Sequence, residues 1–507
     1  MDSDDSAMTD ERAADQQVRR LVVVSNRLPV VLSQENGKWV TEPGSGGLVT
    51  ALAPVLRDRG GLWIGWPGTA LGPGVEEALD KASRTPGYSF VPVSLDDEEV
   101  GCYYRGFSNE VVWPLFHDLQ TRCNFDPAYW KCYKDVNRKF AKVTLEHTDD
   151  DDFIWIHDYH LMLMAEELRK TGSRARLGFF LHIPFPPLDI FLKLPWRDQL
   201  LRGLLCFDLV GFQTLRDRRN FVQCLRALVG DVDTHGGRGQ VCEIDTDHMG
   251  VRAGAFPISI DFRQFEEEAR SREVAETAWN IHENLPERQI ILGVDRMDYT
   301  KGIPERLRAF RRFLDKHPEH REKVTLVQVV VPSRRGIPEY EELKTEIERL
   351  VGEINGQFTG RAGWVPIHYI YRSLDRRELL GYYRASEVAL LTPFKDGMNL
   401  VAKEYCACSL EENCVLVLSE FAGAVAEMHN GAIVVNPYDI VGMAEAIHAA
   451  LEMPADERHR RMHMLRRGIR RHDIFWWVDS FLRASIEQDL GSFPVVEDYT
   501  PERTVTE

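Results

Sequence analysis

No run of apolar residues in this 507-residue chain approaches the roughly 20 that a membrane span needs, and the first residues lack the basic-then-apolar pattern of a secretory leader. The nine cysteines are scattered without a CxxC pair, so no disulfide framework is expected and a reducing cytoplasm is the compartment implied. Cys406, Cys408 and Cys414 are near one another, but nothing accompanies them that would complete a metal site. Positive charge is also short: 62 Lys and Arg stand against 79 Asp and Glu, and a net charge of -17 speaks against nucleic acid as a partner. An enzyme of this charge acting on phosphorylated substrates must gather its few cations locally. Walker A, GxGxxG and HExxH motifs are missing, as are a Ser/His/Asp order and a DxD pair placed as metal ligands after a strand, which counts against ATPase, dehydrogenase and hydrolase chemistry.

What is present is the composition of a globular protein, with 44% hydrophobic residues and a mean hydropathy of -0.31. Strand-like and helix-like patterns alternate along most of the chain. Expected strands are Leu21–Val24, Leu62–Gly65, Phe153–His157, Leu177–His182, Asp208–Phe212, Ile290–Val294, Val324–Val331, Ile367–Ile370, Val388–Leu391, Val415–Leu418 and Ile433–Val435. Several, such as Val324–Val331, are almost continuously apolar and β-branched, as in parallel sheets buried on both faces. Helical periods fill the gaps, as at Leu161–Lys170, Glu305–Lys316 and Tyr340–Val351. The fold class expected is α/β with doubly wound, Rossmann-like sheets. The strands are too many for one open sheet, so two domains are expected, meeting in Phe256–Phe262. The expected division is an acidic disordered tail over 1–20, an N-terminal domain over 21–260 and a C-terminal domain over 261–475. A helix over 476–490 is expected to return to the N-terminal domain, followed by a flexible tail over 491–507.

The most informative stretch is Gly293-Val-Asp-Arg-Met-Asp-Tyr-Thr-Lys-Gly-Ile-Pro-Glu-Arg306. It follows the apolar Gln289–Leu292 and precedes a helical pattern with Pro304 in its first turn, so Arg296 and Lys301 fall on a strand-to-helix connection. Free N–H groups and the helix dipole favour an anion there, and Arg and Lys suit a diphosphate. Arg27, just past the first strand, and Arg334, after Val331, add cations at other strand ends. Pro43-Gly-Ser-Gly-Gly-Leu48 is a glycine-rich approach to the helix Leu48–Leu56. His157 ends another strand and Asp158 and His160 follow it; their spacing does not present three metal donors on one face, and Asp158 is favoured as an acceptor for hydroxyls. His182 closes the strand before Ile183-Pro-Phe-Pro-Pro187, where a lone histidine is more often structural. In Leu390–Glu404, Asp396 lies in a loop, Met398 to Val401 offer backbone N–H groups and Glu404 lies inside a helix. That order suits sugar hydroxyls, phosphates and ribose hydroxyls in turn.

With those residues in view, the chain resembles the trehalose-6-phosphate synthases, retaining glycosyltransferases of family GT20 with the two-domain GT-B form and a cleft between the domains. The resemblance runs from Leu21 to about Leu482 and rests on Ser25-Asn-Arg27, Gly46-Gly47, Trp63-Ile-Gly-Trp66, Val112-Trp-Pro-Leu-Phe-His117 and Trp155-Ile-His-Asp-Tyr-His160. It continues through Phe179–Pro186, Gly211–Thr214, Asp295–Gly302 and Asp396–Glu404. It implies transfer of glucose from a nucleoside diphosphate glucose to the anomeric hydroxyl of glucose 6-phosphate, giving α,α-trehalose 6-phosphate. By that resemblance Arg296 and Lys301 bind the donor diphosphate, Glu404 its ribose, and Asp396 with the backbone of Met398, Asn399, Leu400 and Val401 its glucose. His182 would reach the same glucose from the N-terminal domain and Gly47 would lie nearby. Arg27, Tyr104 and Arg334 would hold the acceptor phosphate, with Trp113 and Asp158 on the acceptor ring.

The resemblance also implies front-face attack, in which the leaving phosphate oxygen takes the acceptor proton while Arg296, Lys301, His182 and Asp158 serve the reaction. Neither a cofactor nor a metal is then needed, because the cations stabilise the leaving group. A homodimer or homotetramer is expected, with no membrane partner, and no fused phosphatase domain is expected after the second domain. Uridine, guanosine and adenosine donors remain open. A related synthase with a cyclitol phosphate or glycerol phosphate acceptor, or a non-catalytic sugar-phosphate sensor, are the competing possibilities.

Overall fold

The computed structural model describes residues 20–35, 38–44, 61–83, 87–230, 232–236, 239–246, 250–285, 288–333, 338–359 and 363–487, with the isolated positions 49, 52, 53, 56 and 499. The expected tails before Arg20 and, apart from Tyr499, over 491–507, and most of the expected helix Leu48–Leu56, lie outside them. The chain divides into two compact units, one within Met1–Phe212, Asp217–Ala255 and Phe481–Val495, the other within Gln213–Arg216, Phe256–Ser480 and Val496–Glu507.

The first unit is built on a nine-stranded sheet. Its strands are β1 (Leu21–Arg27), β4 (Leu62–Trp66), β5 (Ser89–Pro92), β6 (Phe153–His157), β7 (Arg176–Phe180), β8 (Leu209–Phe212), β9 (Val232–His235), β10 (Val241–Thr246) and β11 (Gly250–Ala255). A separate antiparallel hairpin pairs β2 (Val30–Glu35) with β3 (Lys38–Pro43). The sheet order is β5-β4-β1-β6-β7-β8-β11-β10-β9, parallel except at β10, which runs antiparallel to both neighbours. Val22, Val23, Val24 and the whole of β6 are buried, as expected of strands covered on both faces. Phe481, from the final helix Ile474–Ile486, stacks on Trp155 at 4.4 Å. It occupies the space over Gly178 and Gly211, where an added Cβ would come within 2.8 and 2.6 Å of its ring.

The second unit has a fully parallel six-stranded sheet of β12 (Gln289–Arg296), β13 (Val324–Val331), β14 (Ile367–Ile370), β15 (Val388–Leu391), β16 (Val415–Ser419) and β17 (Ile433–Val435). The order β14-β13-β12-β15-β16-β17 is the doubly wound one, with its switch between β12 and β15. The helix Ile303–Lys316 starts on Gly302 in the left-handed region (φ 61°), takes Pro304 in its first turn and buries Ile303, Leu307, Phe310, Phe313 and Leu314. Trp477 donates from Nε1 to the carbonyl of Phe256 at 3.1 Å within this unit. The expected α/β class with two Rossmann-like units is thus the observed architecture.

Three features differ from expectation. The hairpin, β5 and β9 to β11 were absent from the expected strands: β9 alternates half-buried and exposed residues, and β11 is Gly-Val-Arg-Ala-Gly-Ala, too small to read as apolar. Residues Val100–Val112 form a π-helix, which no side-chain period announces. Cys102 on that π-helix is joined to Cys132 on the helix Pro127–Leu145, so the cysteines are not all free thiols.

Candidate active site

In the first unit the sheet changes direction between β1 and β6, which pair through Leu21–Val24 and Phe153–Ile156. Ligands of open α/β sheets bind beyond the carboxyl ends at such a point. Arg27 ends β1 there, and Asp158 follows β6 directly. Local hydrogen bonds shape the β1 end. Trp63 Nε1 donates to Ser25 Oγ at 2.7 Å, and Ser25 Oγ donates to the carbonyl of Arg27 at 2.7 Å. The Arg27 guanidinium lies 4.5 Å over the Trp66 ring. An added Cβ on Gly68 (φ +91°) would stand 2.3 Å from it, so a bare backbone is needed on that side.

Tyr104 projects from the π-helix, stacked on His160 at 5.9 Å and tilted against Trp66 at 6.2 Å. Arg27 and Tyr104 thus share Trp66 as a wall. The π-helix is itself tied to β1, because Tyr103 donates to Asn26 Oδ1 at 3.1 Å. Trp113 is buried, packing on His117 at 4.3 Å and on Tyr159 at 5.8 Å.

Asp158 has a positive φ of 74°, a conformation that Asp tolerates better than most residues. Its N–H donates to the carbonyl of Phe180 at 2.8 Å, and its Oδ1 accepts from the backbone N–H of His182 at 3.3 Å. The Asp158 carboxylate therefore lies beside His182. The two imidazoles also meet: His157 Nδ1 is 3.1 Å from His182 Nε2. Burial pushes His182 down to about 3, and burial first, with the neighbouring His182 second, drives His157 well below its ordinary value. At neutral pH both rings are uncharged, so His182 is a hydrogen-bonding group and not a cation.

In the second unit Arg296 ends β12 at the switch, and Lys301 closes a short 3-10 turn, Tyr299–Lys301, capped by Asp298 Oδ1 at 3.0 Å. Lys301 Nζ lies 2.6 Å from Asp396 Oδ2. Asn399 Nδ2 is 3.3 Å from the same oxygen, and Asn399 Oδ1 accepts from Ala402 N–H at 3.2 Å, capping the helix Leu400–Cys408. Asn399 is left-handed (φ 86°), which turns the chain from Asp396 into that helix. Met398 is buried, and its carbonyl accepts from Ala424 N–H at 2.8 Å. Leu400 and Val401, half-buried, fill the first turn. Glu404, one turn further, accepts from the Tyr383 hydroxyl at 2.8 Å. Burial raises its pKa and that hydroxyl draws it back in part.

Arg296, Lys301, Asp396, Asn399 and Glu404 therefore lie along two adjoining strand-to-helix connections, and Arg27, Tyr104, Trp113, Asp158 and His182 along the ends of β1, β6, β7 and the π-helix. Gly47 and Arg334 fall outside the described residues. Two supporting residues escaped the sequence reasoning. From sequence, His157 stands out only as a possible metal donor, and nothing local gives Arg306 a role. Arg306 is fully buried and donates to Asp295, to Gln328 Oε1 at 3.1 Å, to Thr392 Oγ1 at 3.1 Å and to the Lys301 carbonyl at 3.3 Å. Its signal was a charged residue on the apolar face of a helix, three past Ile303 and four before Phe310.

The sequence profile of Glycosyltransferase family 20 matches residues 19–487. A trehalose-6-phosphate synthase of Mycolicibacterium vanbaalenii is 42% identical over 468 residues, 91% of this chain and 95% of that protein. Among solved structures, an alpha,alpha-trehalose-phosphate synthase (UDP-forming) from Burkholderia xenovorans in complex with glucose-6-phosphate aligns with a TM-score of 0.83 at 35% identity, covering 92% of this chain and 99% of that one. An E. coli trehalose-6-phosphate structure bound with UDP-2-fluoro glucose aligns with a TM-score of 0.82 at 36% identity, with the same two coverages of 92% and 99%.

Proposed function

From the premise that this chain belongs to glycosyltransferase family 20, we propose that it transfers glucose from a nucleoside diphosphate glucose to glucose 6-phosphate, making α,α-trehalose 6-phosphate with retention. The observation that carries the proposal is the Lys301–Asp396 pair, 2.6 Å apart, with Lys301 on the connection that Arg296 opens at the switch of a fully parallel sheet. A cation next to a hydroxyl-accepting carboxylate suits a sugar joined to a diphosphate.

In the transfer, the anomeric hydroxyl oxygen of the acceptor bonds to the anomeric carbon of the donor glucose as the bond to the β-phosphate oxygen breaks. The acceptor proton passes to that leaving oxygen. Arg296 and Lys301 meet the negative charge that grows on the leaving diphosphate, which is stabilisation specific to the transition state. Asp396, with the N–H groups from Met398 to Val401, holds the glucose, and Glu404, supported by Tyr383, accepts from the ribose hydroxyls. Neutral His182 bonds a glucose hydroxyl, and Asp158 beside it takes a hydroxyl of the acceptor ring. Arg27 and Tyr104, with Arg334, take the acceptor phosphate, and Trp113 bounds its ring. No metal enters this scheme, so added magnesium or manganese leaves turnover unchanged. The working form is a homodimer or homotetramer, readable by light scattering.

The test is incubation of glucose 6-phosphate with uridine, guanosine and adenosine diphosphate glucose in turn, with mass spectrometry and NMR of the products. A non-reducing α,α-linked disaccharide phosphate from at least one donor is expected. Hydrolysis alone, or transfer only to another acceptor, would contradict the proposal.

A further inference from the structure

Away from the switch of the second unit, a group of metal-type side chains gathers beyond the opposite end of its sheet. His317 caps the helix Ile303–Lys316, Glu319 lies in the following 3-10 turn Pro318–His320, and His448 comes from the helix Ile440–Glu452. This turn precedes the start of β13 at Val324, whereas Arg296 lies at the far end of the adjoining parallel strand. Fourteen helical residues separate the group from Lys301, about 21 Å at 1.5 Å per residue. Nothing in the proposed transfer uses it.

Three observations make it more than a charged surface. One potential ligand atom from each of His317, Glu319 and His448 lies within 4.8 Å of the others. His317 Nδ1 is 3.4 Å from Glu319 Oε1, close to the edge of about 3.3 Å of a tetrahedron with 2.0–2.1 Å bonds. The His317 and His448 rings stack at 3.8 Å and 10°.

The remaining ring nitrogens face the groups that support metal-bound histidines elsewhere. His317 Nε2 is 3.5 Å from Glu445 Oε1, which Lys316 Nζ also holds at 2.7 Å. That Nε2 atom is buried, and among the described residues it makes no hydrogen bond, Glu445 standing at ion-pair distance. His448 Nδ1 is 3.2 Å from Nε2 of His320, a buried residue, and Glu452 lies 3.4 Å from that same nitrogen of His320.

We propose that His317, Glu319 and His448 bind one divalent transition-metal ion, tying the end of the Ile303–Lys316 helix to the Ile440–Glu452 helix. Two neutral imidazoles and one carboxylate suit zinc, with water in the fourth position. Glu445 and His320 orient the two histidine ligands. The ion is a clamp within the second unit and takes no part in glucose transfer.

The experiment uses the full chain, stripped with a chelator and dialysed, then titrated with zinc by calorimetry and with cobalt by visible absorption. One equivalent should bind with a Kd of about micromolar or tighter, and cobalt should give the intense bands of a tetrahedral site. His448→Ala should weaken binding at least about a hundredfold, and His320→Gln about tenfold to a hundredfold. Glu319 is exposed, so Glu319→Gln keeps the fold, and it should weaken binding and shift the cobalt spectrum. His448→Ala should leave the transfer rate unchanged. His459 and His463, which both face Glu412 at 3.5 and 3.1 Å, are the control, and replacing both with Ala should not alter the zinc titration. Absence of saturable binding overturns the proposal. So does undiminished binding in Glu319→Gln and in a His317→Ala/His448→Ala variant whose circular dichroism is unchanged, or loss of binding in the control.

Discussion

Arg306, sealed from water inside the second unit, donates to the carboxylate of Asp295 one residue before Arg296, and to the backbone carbonyl of Lys301 at 3.3 Å. One side chain thus braces both ends of the connection that carries the two proposed phosphate cations. Removing it strands a buried carboxylate, so Arg306→Leu should cost about 3–5 kcal/mol of stability in urea unfolding. Because a buried pair can often be replaced by apolar residues at little cost, Arg306→Leu/Asp295→Leu should recover much of that loss. An Arg306→Leu protein as stable as the parent would remove the brace from the account.

The loop bearing Asp396 lies against a second backbone segment. The Asp396 N–H donates to the carbonyl of Phe421 at 3.2 Å, and a Cβ on Gly423 would sit 1.8 Å from the Gly397 carbonyl oxygen. Gly423→Ala must therefore displace Asp396 and the N–H groups after it. A shift of about 1 Å can cost a hundredfold, and that loss is expected in donor kcat/KM. The acceptor KM should stay as it was; donor kinetics equal to the parent's would show that the close approach is not needed.

The Cys102–Cys132 bond pins the π-helix of Tyr104 to its neighbour. Thiol titration of the denatured, unreduced chain should find seven thiols, the nine cysteines less the joined pair. Closing a loop across a sequence separation of 30 is worth about 3–4 kcal/mol in the chain-entropy description, so Cys102→Ser should lower stability by that order. Nine titratable thiols would refute the bond.

His157 and His182 are held neutral in the folded protein by burial, His182 down to about 3. Unfolding restores both to about 6.5, so below that pH the unfolded chain binds more protons. Stability is therefore fully present above about 6.5 and declines as pH falls toward 3, by at most about 1.4 kcal/mol per pH unit for each ring. Urea midpoints from pH 7.5 to 4.5 should fall less steeply in His182→Asn than in the parent. Equal slopes would mean that His182 is not held neutral.

Much of this arrangement was legible in the chain. Val324–Val331 and Phe153–His157 read as buried parallel strands because both sheet faces demand apolar residues, and their bounds match. Arg27, Arg296 and Asp158 were placed at strand ends for the same reason. Contacts between distant segments left no local mark. The meeting of His157 with His182, the brace from Arg306 to Thr392 and the Cys102–Cys132 bond all depend on register, which no single segment encodes. Edge strands such as Val232–His235 failed for the opposite reason, since one open side relieves them of the apolar pattern. The His317, Glu319 and His448 group joins one helix end and its following turn to a helix more than a hundred residues later, which no spacing rule reaches.

In the proposed transfer, Arg296 and Lys301 carry the charge of the departing diphosphate. The most direct test of that role is the turnover of Lys301→Ala at saturating donor and acceptor, with circular dichroism to confirm the fold. Loss of one such contact is worth about a hundredfold or more in kcat, and that loss is expected even where donor affinity changes little. Turnover within a few-fold of the parent would contradict the account.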